Sequence, residues 1–468
     1  MDINANQFLQ SAVIALDDIQ LKTALDRGAK KADADRAAAM AETSDPAALR
    51  QQARGARLRA LADLPALLEQ MERNVSARGG VVLWAEDAAE ANQHVIDICR
   101  RHSLKRGIKS KSMVTEETGL VPVLAAEGIE MLETDLGEFI VQVDESHPSH
   151  IITPIIHMTR EKVRDLFVEK LGMEPIPDPV DPVYMTKFAR RLLRQRYLDA
   201  DFGMSGGNFM VAETGTVVVV ENEGNGRLST GMPPVHIAMV GIEKVIPTWE
   251  DFATLLQLLT RSATGQRLSV YANLFNGPAN DGAGDGPDHF YLILVDNGRS
   301  RMYGGEYAEA LACIRCGACL NTCPVYQNVG GHSYGWVYPG PIGSIVTPLL
   351  AGKENASPLP FASSLCGACK SACPVDINIP RMLLALRRDL QPQQGALWQA
   401  GMKGFAAAFS SPLVFELGER AASAFSAATG ETPFTQLPPP LDAWTNSRDF
   451  PPFARQSFRQ WWRENRES

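Results

Sequence analysis

The sequence predicts a mixed α/β protein, with a helix-covered sheet in the middle, a compact cysteine-bearing segment after it, and helical regions at both ends. Three observations carry that reading. Between about residues 79 and 295, short apolar runs alternate with amphipathic stretches of helical period. Seven of the eight cysteines fall in two tight runs between residues 313 and 373. The flanks are rich in Ala, Arg and Leu, with apolar residues at helical spacing.

Taken in order, residues 1–77 read as helices. Leu58, Leu61, Leu64 and Leu68 recur at helical spacing, and Ser44-Asp45-Pro46 breaks the pattern. These helices are expected to pack on the next domain and to carry no chemistry. Val81-Val82-Leu83-Trp84 reads as a strand and Asp87 to His102 as a helix, with Cys99 a buried structural thiol. Thr115 to Ala125 reads as a helix, with Thr115 as its N-cap and Glu116 and Glu117 in its first turn. Phe139 to Val143 reads as a strand, and Pro182 to Leu198 as a basic helix. Val217 to Val220 is a continuous apolar run suited to a strand buried on both faces. His236 to Val240 and Tyr291 to Val295 read the same way, with the helix Trp249 to Leu259 between them.

Past the sheet, the Gly/Pro/aromatic stretch from Gly330 to Pro341 reads as a folded loop between the cysteine runs. Residues 380–430 read as helical. Leu437-Pro438-Pro439-Pro440 is a stiff break, and Trp461 and Trp462 are expected to pack back on the chain. The expected division is a helical region over 1–77, an α/β domain over 78–296, a cysteine-bearing domain over 297–385 and a helical region over 386–468.

Composition excludes several function classes. A length of 468 residues suits two to four domains. Net charge is −9 and no extended basic stripe occurs, which argues against nucleic acid as a partner. No run of about 18 apolar residues is present, so no transmembrane helix is expected. The start lacks a basic segment followed by an apolar stretch and a cleavage site. Asp17 and Asp18 speak against a transit peptide. Reduced cysteines point to the cytoplasm.

The cysteine spacing names a cofactor. The first run is Cys313-x2-Cys316-x2-Cys319-x3-Cys323-Pro324 and the second is Cys366-x2-Cys369-x3-Cys373-Pro374. Thiolates at successive three-residue steps wrap one iron–sulfur cube, and the fourth cysteine, followed by proline, reaches a different cluster. Crossed ligation assigns Cys313, Cys316, Cys319 and Cys373 to one four-iron cluster. The other receives Cys323, Cys366 and Cys369, and its missing ligand falls at Ser363. That second site is a cube with a non-cysteine ligand, a three-iron cluster, or a site completed by a partner's residue. A zinc ribbon needs four ligands and leaves three thiols unexplained. A disulfide scaffold suits a small secreted chain dense in cysteine.

Two further polar clusters invite attention. Ser205-Gly206-Gly207-Asn208 with Ala212-Glu213-Thr214-Gly215-Thr216, and Glu221 to Arg227, flank the apolar run at 217–220. A crevice at strand carboxyl ends and ordinary turn chemistry explain them equally well. No complete G-x-G-x-x-G precedes a helix. His147, His150 and His157 are close in sequence but lack a helical metal spacing, and read as surface or packing residues.

Lys109-Ser110-Lys111-Ser112-Met113 with Thr115-Glu116-Glu117, Ala212 to Thr216, Asn222 to Arg227, Gly241-Ile242-Glu243-Lys244, Asp296-Asn297-Gly298-Arg299 and the two cysteine runs together resemble the bacterial lactate-utilisation protein B family. The likeness covers nearly the whole chain. It implies a central LUD domain with a NagB/RpiA/CoA-transferase-like α/β fold, a two-cluster ferredoxin-like α-helical iron–sulfur domain and a helical C-terminal region. It also implies an electron-transferring subunit that works with two companion proteins in oxidising L-lactate to pyruvate. The family's cluster cysteines fall on Cys313, Cys316, Cys319, Cys323, Cys366, Cys369 and Cys373. The incomplete second run belongs to the resemblance, and no catalytic residue is carried over.

Two alternatives compete with the electron carrier. One is an isomerase or acyl-transfer enzyme whose central domain uses Glu213 and Arg227 while the clusters sense redox state. The other is a binding subunit whose clusters only hold the fold together.

Overall fold

The computed structural model describes residues 3–280, 285–391, 395–429, 432–439, 441–446 and 448–466. They form two compact units, Met1–Arg388 and Asp389–Ser468.

The first unit is built on two sheets. Six parallel strands, β1 (Val81–Ala85), β2 (Arg106–Lys109), β3 (Glu130–Glu133), β4 (Phe202–Ser205), β7 (Val235–Gly241) and β10 (His289–Val295), pair in the order β1-β10-β7-β4-β2-β3. The second sheet takes β5 (Phe209–Val211), β6 (Thr216–Glu221), β8 (Val245–Ile246) and β9 (Tyr271–Phe275) in the order β8-β5-β6-β9.

Side-chain alternation explains why the large sheet is covered on both faces. Tyr291, Ile293 and Val295 join Ile237 and Met239 in the core beneath the helix Ala88–His102. Phe290, Leu292 and Leu294, one residue out of phase, join Ala238 and Val240 under the helix Leu64–Ser76. A strand apolar at every position has no solvated face to offer, so crossover helices must lie on both sides. The mixed α/β architecture is the one the sequence predicts.

The N-terminal helices Ile19–Ala41 and Pro46–Ala62 do more than cover a surface, because they share a core with the cysteine segment. Asp45 caps the second of these by accepting from Ala48 N, at the predicted break. Cys99 is buried as expected, and burial pushes its thiol up to about 12.

Three local readings are corrected. Phe139 to Val143 lies in the helix Leu136–Val143, not a strand. Asp135 accepts from Glu138 N to start it, and Gln142 supplies the edge partner of β3 by bonding Glu133 N and Met131 O. The predicted helix Thr115 to Ala125 is two short helices, Met113–Glu117 and Leu120–Ala126, parted by Gly119 at φ +64°. Its N-cap is Ser112, whose Oγ accepts from Thr115 N.

The second unit holds the helices Ala396–Ser410, Pro412–Thr429, Asp442–Thr445 and Phe458–Asn465. Trp461 and Trp462 stack on Phe458 but remain exposed, which corrects the expected packing. Their eight-residue helix is tied down on another side, by Arg459 over the Phe415 ring and Arg463 on Glu416. Of the predicted break at 437–440, Pro440 lies outside the described residues. Among the described residues, no helix is long and apolar enough to cross a membrane.

Gly203 in β4 gives a direct test of the sheet. A Cβ there meets the Ser229 carbonyl of the helix Asn225–Gly231. Gly203→Ala should separate that helix from β4 and cost about 1–3 kcal/mol, read as a lower urea midpoint.

Candidate functional site

Because all six strands of the large sheet are parallel, their carboxyl ends lie along one edge. The segments leaving that edge carry the polar motifs: Ser110-Lys111-Ser112 after β2, Gly206-Gly207-Asn208 after β4, Glu243-Lys244 after β7 and Asn297 to Arg299 after β10. A cavity of about 350 Å³ opens there, within the range of ligand pockets. Its walls include Ser112, Gly206, Glu243 and Lys244, with Arg315 and Tyr338 contributed by the cysteine segment.

Behind that wall runs a buried ionic chain. Arg299 Nη1 and Nη2 donate to Glu117 Oε1 and Oε2 at 2.8 and 2.9 Å, and its Nε donates to Glu243 Oε2 at 2.6 Å. The arginine is 1% exposed, so neither carboxylate has bulk water as an alternative partner. Asn297 Nδ2 and the Tyr338 hydroxyl also donate to Glu117, both at 2.6 Å. Arg315 continues the chain, 3.8 Å from Glu243 Oε1 and 4.4 Å above the centre of the Tyr338 ring. Burial alone would raise the Glu243 carboxyl, but Arg299, Lys244 and Arg315 overcome it and hold it down to about 2.

Arg57, on the helix Pro46–Ala62, locks the same corner from behind. Its buried guanidinium donates to the carbonyls of Glu243, Val245, Leu311 and Ala312. On the same helix, Arg54 bonds Glu309 and Arg50 bonds the Cys373 carbonyl. The N-terminal helices therefore position the cysteine loops, beyond the plain packing expected of them.

The two cysteine loops repeat one backbone. In the first, Arg315 and Gly317 adopt φ +59° and +76° before the short helix Ala318–Asn321. In the second, Leu365 and Gly367 adopt +57° and +83° before Ala368–Ala372. Arg315 N donates to Cys313 Sγ at 3.4 Å, and Leu365 N donates to Ser363 Oγ at 3.1 Å. Ser363 thus stands in its loop where Cys313 stands in the other.

Cys313, Cys316, Cys319 and Cys373 line a second cavity of about 20 Å³, whose remaining wall is almost wholly apolar. Cys323, Cys366 and Cys369 lie within electrostatic reach of one another as a separate group. Burial, with help from neighbouring sulfurs, pushes the Cys369 thiol up to about 11 and the Cys316 and Cys319 thiols higher. Such crowded thiols need a cationic core to become thiolates. Among the described residues, no three His, Cys, Asp or Glu are placed to hold a single metal ion. Cys313, Cys316, Cys319 and Cys373 surround a gap, which fits a cube; zinc draws its sulfurs to about 2.3 Å from one point. The first loop is largely buried, whereas Cys366 in the second is exposed.

Other candidates fall elsewhere. Glu213 is exposed and accepts from Trp249 N at 3.0 Å, at the start of the helix Trp249–Thr264. Arg227 is exposed on Asn225–Gly231, and neither residue lines the large cavity. The Gly-rich segments divide: 206–208 and 221–226 contribute to the cavity, while Ala212 to Gly215 form the β5–β6 turn. His150 is a buried packing residue. Its Nδ1 accepts from Ile152 N and Thr153 N, its Nε2 donates to Asn321 Oδ1, and its ring lies against Gly317. The ionic chain was not read from sequence as a unit. Its visible signal is a charged residue shortly after each of several strand-like runs, at 117, 243, 244 and 299.

Comparison with known proteins identifies the class first. Residues 68–295 match the LUD domain and residues 309–377 the 4Fe-4S dicluster domain, which makes this an iron–sulfur protein built on an α/β LUD domain. Residues 391–467 match the C-terminal region of lactate utilisation protein B. Lactate utilization protein B of Bacillus velezensis is 42% identical over 417 residues, 88% of this chain and 87% of its own. The Geobacillus kaustophilus protein of that name is 43% identical over 87% of this chain and 86% of its own, and the Macrococcus caseolyticus one 44% over 86% of each. The chain belongs to the lactate utilization protein B family. A crystal structure of a DUF162 family protein from Deinococcus radiodurans aligns with 50% of this chain and 98% of its own at 15% identity, with a TM-score of 0.26.

Arg299→Met should leave Glu117 and Glu243 buried without their shared partner and cost about 3–5 kcal/mol. The expected readout is a lower guanidinium midpoint.

Proposed function

We propose that this chain is the iron–sulfur electron-carrying subunit of a system that oxidises L-lactate to pyruvate with two companion proteins, enabling growth on lactate. The observation that carries electron exchange is Arg315. It sits between Cys313 and Cys316 and lines both the large cavity and the cysteine cavity. A ligand in the large cavity is therefore one side chain away from the first cysteine group. Lactate itself comes from the names of the relatives, which are 42–44% identical.

Cys313, Cys316, Cys319 and Cys373 would hold one four-iron cluster, and Cys323, Cys366 and Cys369 a second with Ser363 in the fourth position. When bound, two such clusters each carry one electron, matching the two electrons and two protons that separate L-lactate from pyruvate. The chain's own residues fix the loops, exclude water from the first group and expose the second toward a partner. Seven thiols that must stay reduced suit the cytoplasm. A deletion strain lacking any other lactate dehydrogenase should fail to grow on L-lactate, and normal growth would refute the substrate assignment.

Cys316→Ser should remove a soft ligand from the buried group. The expected result is loss of about half the bound iron and of lactate-dependent electron transfer, with the sheet still folded by circular dichroism. Full iron content would contradict the ligand set.

Ser363 is tested by a pair of variants. Ser363→Cys should complete a four-thiolate set and slow loss of iron in air, while Ser363→Ala should accelerate it. Iron quantitation and EPR read both. No change in either variant would remove Ser363 from the ligand set.

A further inference from the structure

The helix Pro182–Leu198 carries Lys187, Arg190, Arg191, Arg194 and Arg196, and no acidic residue in its 17 positions. Its inner side is apolar: Met185, Ala189, Leu193 and Tyr197 share a core with Ile108 of β2 and Phe139 of the helix Leu136–Val143. At about 100° per residue, Lys187, Arg190, Arg191 and Arg194 fall together on the other side of the helix. All four are exposed.

Among the described residues, no ion pair reaches any of these four cations; Arg196, off their face, pairs with Glu130 at 3.1 Å. The nearest acids in sequence are already engaged. Arg164 holds Asp178, Asp181 accepts from Val183 N as the N-cap, Gln195 donates to Asp199, and Arg106 holds Asp201. An ordinary solvated helix face mixes signs, because like charges three and four positions apart repel. Here four such pairs stand together, 187 with 190 and 191, and 194 with the same two, in a chain of net charge −9. Nothing in the fold requires that concentration of positive charge.

We propose that the outer face of this helix docks a protein presenting clustered carboxylates, and that this protein is one of the two companions of the lactate-oxidising system. The companion's identity rests on that reading; the chemistry of the face does not. Three of the four cations are arginines, whose planar forks take a carboxylate through two hydrogen bonds. Val183 and Leu198, each 57% exposed, stand on the same side and offer an apolar contact at each end. The charged part is compact, about 10 Å from Lys187 to Arg194. A nucleic acid carries phosphates along its whole length, and would run off this face onto a chain whose remaining charge is more negative than −9. A lipid surface takes up a helix by its apolar side, and here that side is occupied by the core. A patch of carboxylates on a folded protein matches both the size and the sign of the face.

Sedimentation velocity on the anaerobically purified, iron-loaded chain mixed with each companion tests this. One companion should bind, with an affinity that falls about tenfold or more between about 50 and about 300 mM salt. Arg190→Gln with Arg191→Gln should weaken that binding about tenfold or more at the lower salt, with iron and sulfide content unchanged. Lys30→Gln with Lys31→Gln removes two exposed cations from the helix Ile19–Ala41 and should leave the affinity as it is. Binding of neither companion, binding insensitive to salt, or an affinity unchanged in the Arg190/Arg191 variant overturns the proposal, and so does an equal loss in the Lys30/Lys31 variant. Duplex DNA and phosphatidylglycerol vesicles are run beside the companions at about 150 mM salt. Binding of either that the Arg190/Arg191 variant abolishes assigns the face to phosphates and also overturns the proposal. Salt-sensitive companion binding together with normal growth of the deletion strain on L-lactate leaves the face standing and removes the substrate. Growth lost in that strain, with companion binding unchanged in the Arg190/Arg191 variant, overturns the face alone.

Discussion

Arg299 joins two carboxylates from different parts of the sheet edge, Glu117 from the helix after β2 and Glu243 from the turn after β7, and the geometry of the whole site follows from that pairing. A buried ion pair contributes little net stability compared with well-packed apolar groups, since desolvation offsets most of the attraction. Its effect here is positional. Glu117 also accepts from Tyr338, and Glu243 faces Arg315, so the cysteine segment finds charged and polar partners in one register only. Sliding that segment along the sheet would strand at least one buried charge.

This arrangement depends on all six strands running the same way. Parallel strands deliver every following turn to one edge, so charged residues separated by 182 positions in sequence, Glu117 and Arg299, meet there. The helix Pro46–Ala62 then closes the back of the site. Arg50, Arg54 and Arg57 fall at spacings of four and three residues, on one face of that helix, and each reaches the cysteine segment. Arg57 matters most, because it also bonds carbonyls beside β8 and so ties the loop to the sheet within one side chain.

The sequence displays the local part of this design and hides the distant part. Cysteine spacing is legible because the chemistry is written in three-residue steps, and the continuous apolar runs at 217–220, 236–240 and 291–295 are legible because both faces of those strands are buried. Phe139 to Val143 misleads for the same reason. Phe139, Ile140 and Val141 are buried in a short helix whose start is set by Asp135, and a run of five cannot separate a period of 2 from 3.6. Glu213 and Arg227 look catalytic beside their glycines, yet one faces a helix start and the other solvent. Glu243 and Arg299 look like turn residues, and only their burial gives them another role. Charge pairing across the fold has no period, so periodicity alone does not reveal it.

The two cysteine loops share their positive-φ positions and differ in their surroundings. Around the first, Ile151, Ile342, Val375 and Ile377 close the wall, and Arg315 is the polar connection to the large cavity. Around the second, Cys366 is exposed and Ser363 half-buried. Reduction potential responds to burial and to hydrogen bonds at the sulfurs. Cys373 accepts from Ile377 N inside the apolar wall, whereas the Ser363 position offers a harder oxygen near solvent. Identical backbones in unlike environments therefore need not hold equivalent centres. The buried one adjoins the large cavity through Arg315, and the open one lies against solvent.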